Sequence, residues 1–466
     1  MKSFYKRYFV PVYDNDVDSL NPTIWAQESL AVLEEQMIAS TRINRDYENK
    51  VQEFGEVVNA NRPAKFEVER KGANDDVVVQ NADSNQLPIT LNQHLHTSFL
   101  LRDAQVSKSM QSLFDMFLTP AVQSIASGLD KAILGFAPQF LGNAYGQLDG
   151  MTEANAKNYI IQTRKMMVDG LLPAAKDGLI TPATEAIFLE LPIFTEADKV
   201  GDDGTALREA SIGRKYGMNW FMGQNTPYVN TATAYKATGA VNRGGGYVAG
   251  STIILIDGFS AAIVNGSYVT IAGSMYPYRV TATIGAGTPT SMTVTPALRE
   301  PVADNAVVSV YRTGAIDLGA GYAAGWVKRI HVDGLDATYP PQVGQIVSHG
   351  ADIYTIMSIT GNTGTEADIL LNRPVVSTMA DNDVLGFGPG GSYNFCFARD
   401  ALGLVTRPLA LPRADTGVRG AVASFNDLSI RVVMTYDGNK QGHLVTVDML
   451  CGIAVFDTGQ GFLMLG

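Results

Sequence analysis

The sequence predicts an α+β protein in which helix is concentrated early and sheet dominates late, and three observations predict it. Lys, Glu and Leu, which favour helix, cluster mainly in the first 175 residues. After about residue 225 Thr, Val and Ala become frequent, and the 46 glycines suit short strands joined by tight turns. Between Gly239 and Gly388 the chain repeats itself, with strand-like alternation between the matched points.

Length and composition bound the reading. At 466 residues, with 46% hydrophobic and 17% charged residues, the chain is too long for one ordinary domain and is expected to fold as about two to four packed units. A net charge of -11 argues against a protein whose main work is gripping nucleic acid, because phosphate contacts need Lys and Arg gathered on one surface. Cys396 and Cys451 both stand in apolar strand-like runs, which predicts buried thiols and no disulfide. Met1 to Tyr13 carries Lys2, Lys6 and Arg7 but only a short apolar stretch broken by Pro11. With no run near the roughly 20 apolar residues that cross a bilayer, neither a signal peptide nor a membrane anchor is expected.

Along the chain, Trp25, Leu30, Leu33 and Met37 recur at helical spacing after an Asn21-Pro22 start, predicting an amphipathic helix over Thr23–Met37. With no second helix nearby in sequence, its apolar face is expected to dock on a neighbouring subunit or on a scaffolding partner. Lys65 to Val79 alternates at Phe66 and Val68 and carries Glu67, Glu69, Arg70, Lys71, Asp75 and Asp76 around Gly72. This predicts a long hairpin with a charged, solvent-facing tip. A strand at Leu87–Leu91 leads to a helical region from about Asp103 to Leu134, where Val122, Ile125, Leu129 and Ile133 share a face after Thr119-Pro120. A helix over Glu153–Val168 follows.

The repeat is carried by four matches. Ile256-Asp257-Gly258-Phe259 is echoed by Val332-Asp333-Gly334-Leu335, Gly273–Tyr278 by Gly350–Tyr354, Pro301-Val302 by Pro374-Val375, and Asp304-Asn305 by Asp381-Asn382. Two copies are too few for a solenoid, so a pair of small barrel-like modules inserted into a parent fold is expected, with the Asp-Gly pairs as turns. Beyond them, Asn394–Val405 and Leu428–Tyr436 read as strands, and Asp437-Gly438 as the hairpin turn into His443–Phe456.

Searches for chemistry return little. His94-x-His96 would put two imidazoles on one face of a strand, but no third ligand is near, and His331, His349 and His443 are scattered. Gly244–Gly246 and Gly386–Gly391 lack the following helix and Lys-Ser or Lys-Thr that cradle phosphate, and read as linkers at the edges of the repeat. Asp75-Asp76 and Asp202-Asp203 read as solvated turns. Arg214 to Phe221 interleaves basic and aromatic residues, which fits a strand with its aromatics packed inward better than a base-stacking surface. No catalytic, cofactor-binding or metal-binding residue is assigned, and no cofactor is expected.

Several segments together carry a resemblance. Ala64-Lys-Phe-Glu-Val68, then Leu87-Pro-Ile-Thr-Leu-Asn-Gln-His-Leu-His96, resembles the extended loop and following strand of the coat-protein family of short-tailed phages. That family has the capsid fold common to tailed phages and herpesviruses. Leu118–Val122 with Ile125–Asp130 is similar to its spine helix, and Leu207–Arg214 with Gln224–Pro227 to the stretch before its insertion. Asn394–Leu402 with Thr406–Pro408, and Leu428–Arg431 through Tyr436–Gly438 to Val447–Leu450, resembles its carboxyl-terminal strands.

What the resemblance implies is a major capsid protein, not an enzyme, that assembles into an icosahedral head around double-stranded DNA. Its expected parts are an amino-terminal arm (1–55), an extended loop with the following strand (56–97), and the spine helix with the first part of the peripheral and axial domains (98–228). Two inserted β modules (229–312 and 313–390) and a return to the parent fold (391–466) complete it. The expected partners are other copies of the chain in hexameric and pentameric capsomers, a scaffolding protein and a portal. DNA is enclosed without sequence-specific contacts, no membrane is involved, and the location is the virion after assembly in the host cytoplasm. The expected subunit contacts are Trp25, Leu30, Leu33 and Met37 on the helix, and Arg70, Lys71, Asp75 and Asp76 on the loop Asn61–Gln86. The competing readings are a decoration or tail component and a β-rich hydrolase.

Overall fold

The computed structural model describes residues 22–45, 57–61, 68–73, 76–77, 79, 86–102, 114–172, 176–195, 212–230, 235–285, 287–413, 418–425 and 428–466. It is a mixed α+β protein with few helices among many strands. The chain divides into two compact units: Met1–Gln36, His94–Ala126 and Thr406–Leu450 form one, and Met37–Gln93, Ser127–Val405 and Cys451–Gly466 the other.

In the first unit, the antiparallel strands Arg419–Phe425 and Leu428–Asp437 pair from Arg419 opposite Met434 to Phe425 opposite Leu428. The second of these pairs with the strand starting at Gly442, from Arg431 opposite Asp448 to Asp437 opposite Gly442. Alternate residues Leu428, Ile430, Val432, Val445 and Val447 are fully buried, as a half-buried sheet requires. Asp437 holds the hairpin turn with its carboxylate, which accepts from Asn439 N at 3.0 Å and Lys440 N at 3.3 Å. The left-handed residue of this turn is Gln441 (φ 46°), three positions beyond the Gly438 that the sequence points to.

The helix Pro22–Gln36 packs against the strands Arg419–Phe425 and Leu428–Asp437. Trp25, Leu30 and Leu33 are 4%, 6% and 0% exposed, so this apolar face does not wait for a neighbouring subunit. The expectation of an uncovered face fails because the cover lies some 400 residues further along the chain, beyond any local reading of the sequence.

The second unit has a mixed sheet ordered Ala144–Gly146, Gly461–Leu465, Gly391–Phe397, Asp177–Ile180, Met218–Met222 and Arg214–Lys215. The helices Glu153–Asp169 and Pro182–Glu190 bury Ile160, Met167 and Phe188 in one cluster with Ile180, Trp220, Cys396 and Phe462. Asn394, fully buried, is satisfied on every side: its Oδ1 accepts from Thr181 N at 2.9 Å, and its Nδ2 donates to Thr184 Oγ1 at 3.0 Å and Met464 O at 3.1 Å. Asn394–Val405 is not one strand but two, Gly391–Phe397 and Leu402–Arg407, separated by a 3-10 turn at Arg399–Ala401.

The helix Thr119–Leu134 follows a π-type turn at Phe114–Leu118. Pro120 has no N–H to donate, so the preceding turn does not run into the helix as an unbroken ladder. Val122, Ile125, Leu129 and Ile133 are all buried. On the same helix Asp130, 4% exposed, accepts from Ile38 N at 3.1 Å and faces the N–H groups of Ala39 and Ser40. Burial outweighs the pull of these N–H groups and pushes its carboxyl up to about 6.

The repeated segment folds as two closed six-stranded barrels. The first uses Tyr235–Val241, Ile253–Asp257, Tyr268–Ile271, Tyr278–Ile284, Ser291–Thr295 and Val307–Tyr311. The second uses Thr313–Ile316, Ile330–Asp333, Ile346–His349, Asp352–Thr360, Ala367–Leu371 and Val384–Phe387. Around each barrel the strands run in the order 1-2-5-4-3-6, and in each the fourth and fifth strands share a bulge, at Val280/Ala282 and at Ile356/Ser358. Closure leaves neither barrel an open edge.

Hydrogen bonds set the correspondence between copies. Tyr247 and Tyr322 donate their N–H to Val302 O and Met379 O, both at 2.8 Å, and their hydroxyls accept from Leu255 N and His331 N at 2.7 and 2.8 Å. Asp304 and Asp381 accept from Arg243 N and Leu318 N, each beside a left-handed asparagine, Asn305 (φ 59°) and Asn382 (φ 63°). This pairing overturns one sequence match. Val302 corresponds to Met379, whereas Val375 corresponds to Leu298, their carbonyls accepting from Gly325 N and Gly250 N at 2.7 Å each. Gly244–Gly246 also lies inside the first barrel and not at its edge. Gly246 and its counterpart Gly321 have positive φ, and a Cβ on either would run into the carbonyl of Val302 or Met379.

Both barrels are fastened to helical ends, where backbone carbonyls lack partners within the helix. Gly135, after the helix Thr119–Leu134, presents its carbonyl to Thr355 Oγ1 of the second barrel at 3.0 Å. The next turn, Ala137–Asn143, ends on Arg299 of the first barrel, whose guanidinium donates to Leu141 O (2.8 Å), Gly142 O (2.6 Å) and Ala144 O (2.9 Å). Tyr276 adds a hydroxyl to Leu141 O at 2.6 Å and lies under the guanidinium, 4.2 Å from its ring centroid.

Two stability predictions follow from these anchors. Arg299→Ala is expected to lower the unfolding free energy in urea by roughly 2–4 kcal/mol, because three carbonyls lose charge-assisted donors, and Arg299→Lys should recover only part of that. Asp130 has a folded pKa raised above its unfolded value of 3.8, so its proton stabilises the fold below about pH 4 and that contribution is lost as pH rises through about 6. Asp130→Asn, which keeps an acceptor for Ile38 N, is expected to remove roughly 2–3 kcal/mol of the fall in stability between about pH 4 and pH 7. An unchanged pH slope in urea titrations of that variant would refute the assignment.

Candidate inter-subunit surfaces

The long loop is defined by its base. Val57–Asn61 and Gln86–Thr90 form a two-stranded antiparallel ribbon, from Val57 opposite Thr90 to Asn61 opposite Gln86. The chain between Asn61 and Gln86 therefore leaves and returns at one place. Ile89 is fully buried, and Gly452 lets the ribbon lie close, since an added Cβ there would sit 2.5 Å from Thr90 O and 3.2 Å from Ile89 Cγ2.

Within the loop, Val68, Val77 and Val79 are 98%, 71% and 87% exposed. Arg70, Lys71 and Asp76 are exposed beside them, while Asp75 and residues 62–67 lie outside the described residues. Val68–Gly72 is irregular backbone, not the hairpin strand that alternation at Phe66 and Val68 predicts. Alternation at two residues is too short a pattern to establish a strand. Trp25, Leu30, Leu33 and Met37, grouped with these residues on sequence grounds, are all buried within the chain.

The first barrel presents a second apolar surface. Ile253 and Leu255 on one strand and Ile284 on another are 58%, 45% and 68% exposed, joined by Ser291, which pairs with both Leu255 and Ile284.

Reactive side chains are largely committed to structure. Cys396 and Cys451 are free and fully buried, and burial pushes both thiols up to about 12, so neither ionises near neutrality. His94 and His96 share a strand face with ring centroids 6.1 Å apart. His94 Nε2 lies 3.0 Å from Asp448 Oδ2, and Arg431 grips both oxygens of that buried carboxylate. Among the described residues, no group of three or more His, Cys, Asp or Glu is arranged to hold a metal ion.

Arg214 to Phe221 is a tight hairpin and not a continuous strand: Tyr216 and Gly217 both have positive φ, and Lys215 pairs with Met218. Trp220 is buried and donates to Lys215 O at 3.3 Å. One cleft of about 270 Å³ is lined by Arg42, Glu185 and Phe221, and another of about 290 Å³ by Lys131, Asn225 and Tyr228. Arg42 stacks over Phe221 at 3.9 Å, and burial raises the Glu185 carboxyl. Neither cleft brings a nucleophile and a base into hydrogen-bond reach. Asp202-Asp203 lies outside the described residues. Among the described residues no helix is long and apolar enough to cross a membrane.

No family model and no curated protein matches the chain. Solved phage structures are similar to it over most of its length. One from Mycobacterium phage Che8 is 10% identical, with a TM-score of 0.44, over 92% of this chain and 90% of that one. The capsid structure of cyanophage P-SCSP1u is 8% identical, with a TM-score of 0.41, over 88% and 84%. The mature capsid of bacteriophage PhiM1 is 8% identical, with a TM-score of 0.38, over 88% and 82%.

Proposed function

We propose that the chain is the major capsid subunit of a tailed double-stranded DNA bacteriophage, closing with copies of itself into an icosahedral head, with no enzymatic role. The observation that carries this reading is the loop Asn61–Gln86, which is held at its base by a paired ribbon and exposes three valines among charged residues. A monomer gains nothing from holding apolar side chains in water, whereas a subunit can bury them on a neighbour. The collinear sequence segments that resemble the short-tailed-phage coat proteins support the same reading.

In this assignment the helix Thr119–Leu134 is the spine of a peripheral domain, the mixed sheet belongs to an axial domain, and the two barrels are the family's insertion in doubled form. Arg70, Lys71, Asp75 and Asp76 make charge pairs with the adjacent subunit, and the loop valines fill the contact between them. The face of the helix Pro22–Gln36 is left out of this surface, because it is already covered. Each contact is weak, and symmetry repeats it until the shell persists. Hexameric and pentameric capsomers, a scaffolding protein, a portal, assembly in the host cytoplasm and DNA held without sequence-specific contacts complete the assignment.

Negative-stain microscopy and sedimentation of the purified chain, alone and with the candidate scaffolding protein from the same genome, should show closed shells or capsomer rings. A homogeneous monomer in both conditions would overturn the proposal in favour of a decoration or tail component. Charge reversal at Arg70 and Lys71, or Val68, Val77 and Val79→Ser, is expected to lower assembly yield severalfold while leaving the monomer's melting temperature unchanged, because none of these side chains is buried.

A further inference from the structure

The two barrels share topology, bulge and turn hydrogen bonds, so each is a control for the other. They differ sharply along one outer row. In both, the residue after the first strand donates its N–H to the second strand, Asn242 to Leu255 O at 2.9 Å and Asp317 to His331 O at 3.1 Å. Leu255 pairs with Ser291 in one barrel, and His331 pairs with Asp368 in the other. Where the first barrel has Asn242, Leu255 and Ser291, the second therefore has Asp317, His331 and Asp368.

The imidazole of His331 is surrounded by acid. Its Nδ1 is 2.8 Å from Asp368 Oδ1, and its Nε2 is 3.6 Å from Asp317 Oδ2 and 3.9 Å from Glu366 Oε2. These carboxylates come from the end of the first strand and from the fifth strand with its entry, the two elements that flank His331. On its own strand Asp333 adds a further acid. Arg329, just before that strand, is turned away to Ser358, donating to its carbonyl at 3.3 Å and its hydroxyl at 2.9 Å.

We propose that the second barrel is a pH-responsive module whose pairing along Asp317, His331 and Asp368 is tight when His331 is protonated and loosens when it is neutral. The protonated ring offsets three carboxylates at once. On deprotonation they face one another with no cation between them, and the Nε2 lone pair meets Asp317 and Glu366. The hydrogen bond to Asp368 and the surrounding acids raise the pKa of His331 above 6.5, with burial opposing them. A raised histidine stabilises the fold below its unfolded pKa and loses that contribution as pH climbs through the folded value, so loosening begins above about pH 6.5. The first barrel, with leucine, serine and asparagine at the same places, lacks the device.

The test is hydrogen exchange with mass spectrometry on the full chain at about pH 5.5 and about pH 8, corrected for intrinsic exchange. Protection at 315–318, 330–333 and 366–369 should fall at the higher pH, by up to about tenfold for each unit by which the folded pKa exceeds the unfolded one. The matched segments 240–243, 253–257 and 289–293 should not change. His331→Lys should stay protected at both pH values, while His331→Leu should lose the pH difference and Asp368→Asn, which leaves Asp317 and Glu366 in place, should reduce it. Equal loosening of both barrels, no loosening in the wild type, or loosening that survives in His331→Leu would each overturn the proposal.

Discussion

The unsatisfied carbonyls at the ends of two successive helical segments are the constraint on which the second unit depends. The helix Thr119–Leu134 and the turn Ala137–Asn143 end among packed side chains, where water cannot reach every oxygen. The chain solves this with side chains from the two barrels: Thr355 takes the carbonyl of Gly135, and Arg299 with Tyr276 takes those of Leu141, Gly142 and Ala144. The barrels are thus not appendages on linkers. Each supplies the cap for one helical end, which fixes its place against that segment.

The two barrels share one frame and differ on their outer faces. The frame is retained wherever backbone geometry demands it: the positive-φ glycines Gly246 and Gly321, the left-handed Asn305 and Asn382, and the tyrosines whose hydroxyls hold a neighbouring strand. Outward-facing positions are free of that demand, and there the copies part. One row is apolar at Leu255 and Ile284, and its counterpart is ionic at His331 and Asp368. The helix-capping residues have diverged as well, a guanidinium fork in one copy and a hydroxyl in the other.

Local patterns were legible where a short stretch of chain carries the whole signal. The helical face through Val122, Ile125, Leu129 and Ile133 could be read from spacing, and so could the burial of both cysteines. The repeat was visible from its turn residues, although the Pro-Val match misled, because registration follows hydrogen bonds and a dipeptide can recur by chance. Of the strand Gln93–Arg102 only the start was marked, at His94 and His96, because Phe99, Leu100 and Leu101 in a row carry no alternation. The Tyr216-Gly217 turn hid inside what looked like one strand, because Tyr is an uncommon residue for positive φ.

By itself the sequence determined the α+β class, the late dominance of sheet, the repeat and the loop whose ends lie at Asn61 and Gln86. These are set by periodicity, by turn chemistry and by composition, all of which act over a few residues. Only the tertiary structure decided that the strands near the carboxyl terminus cover Trp25, Leu30 and Leu33, and that Asp130 receives the N–H of Ile38. It alone brought Asp317, Glu366 and Asp368 around His331. Such contacts join residues tens to hundreds of positions apart, and burial and charge depend on what the fold places side by side, which no local pattern records.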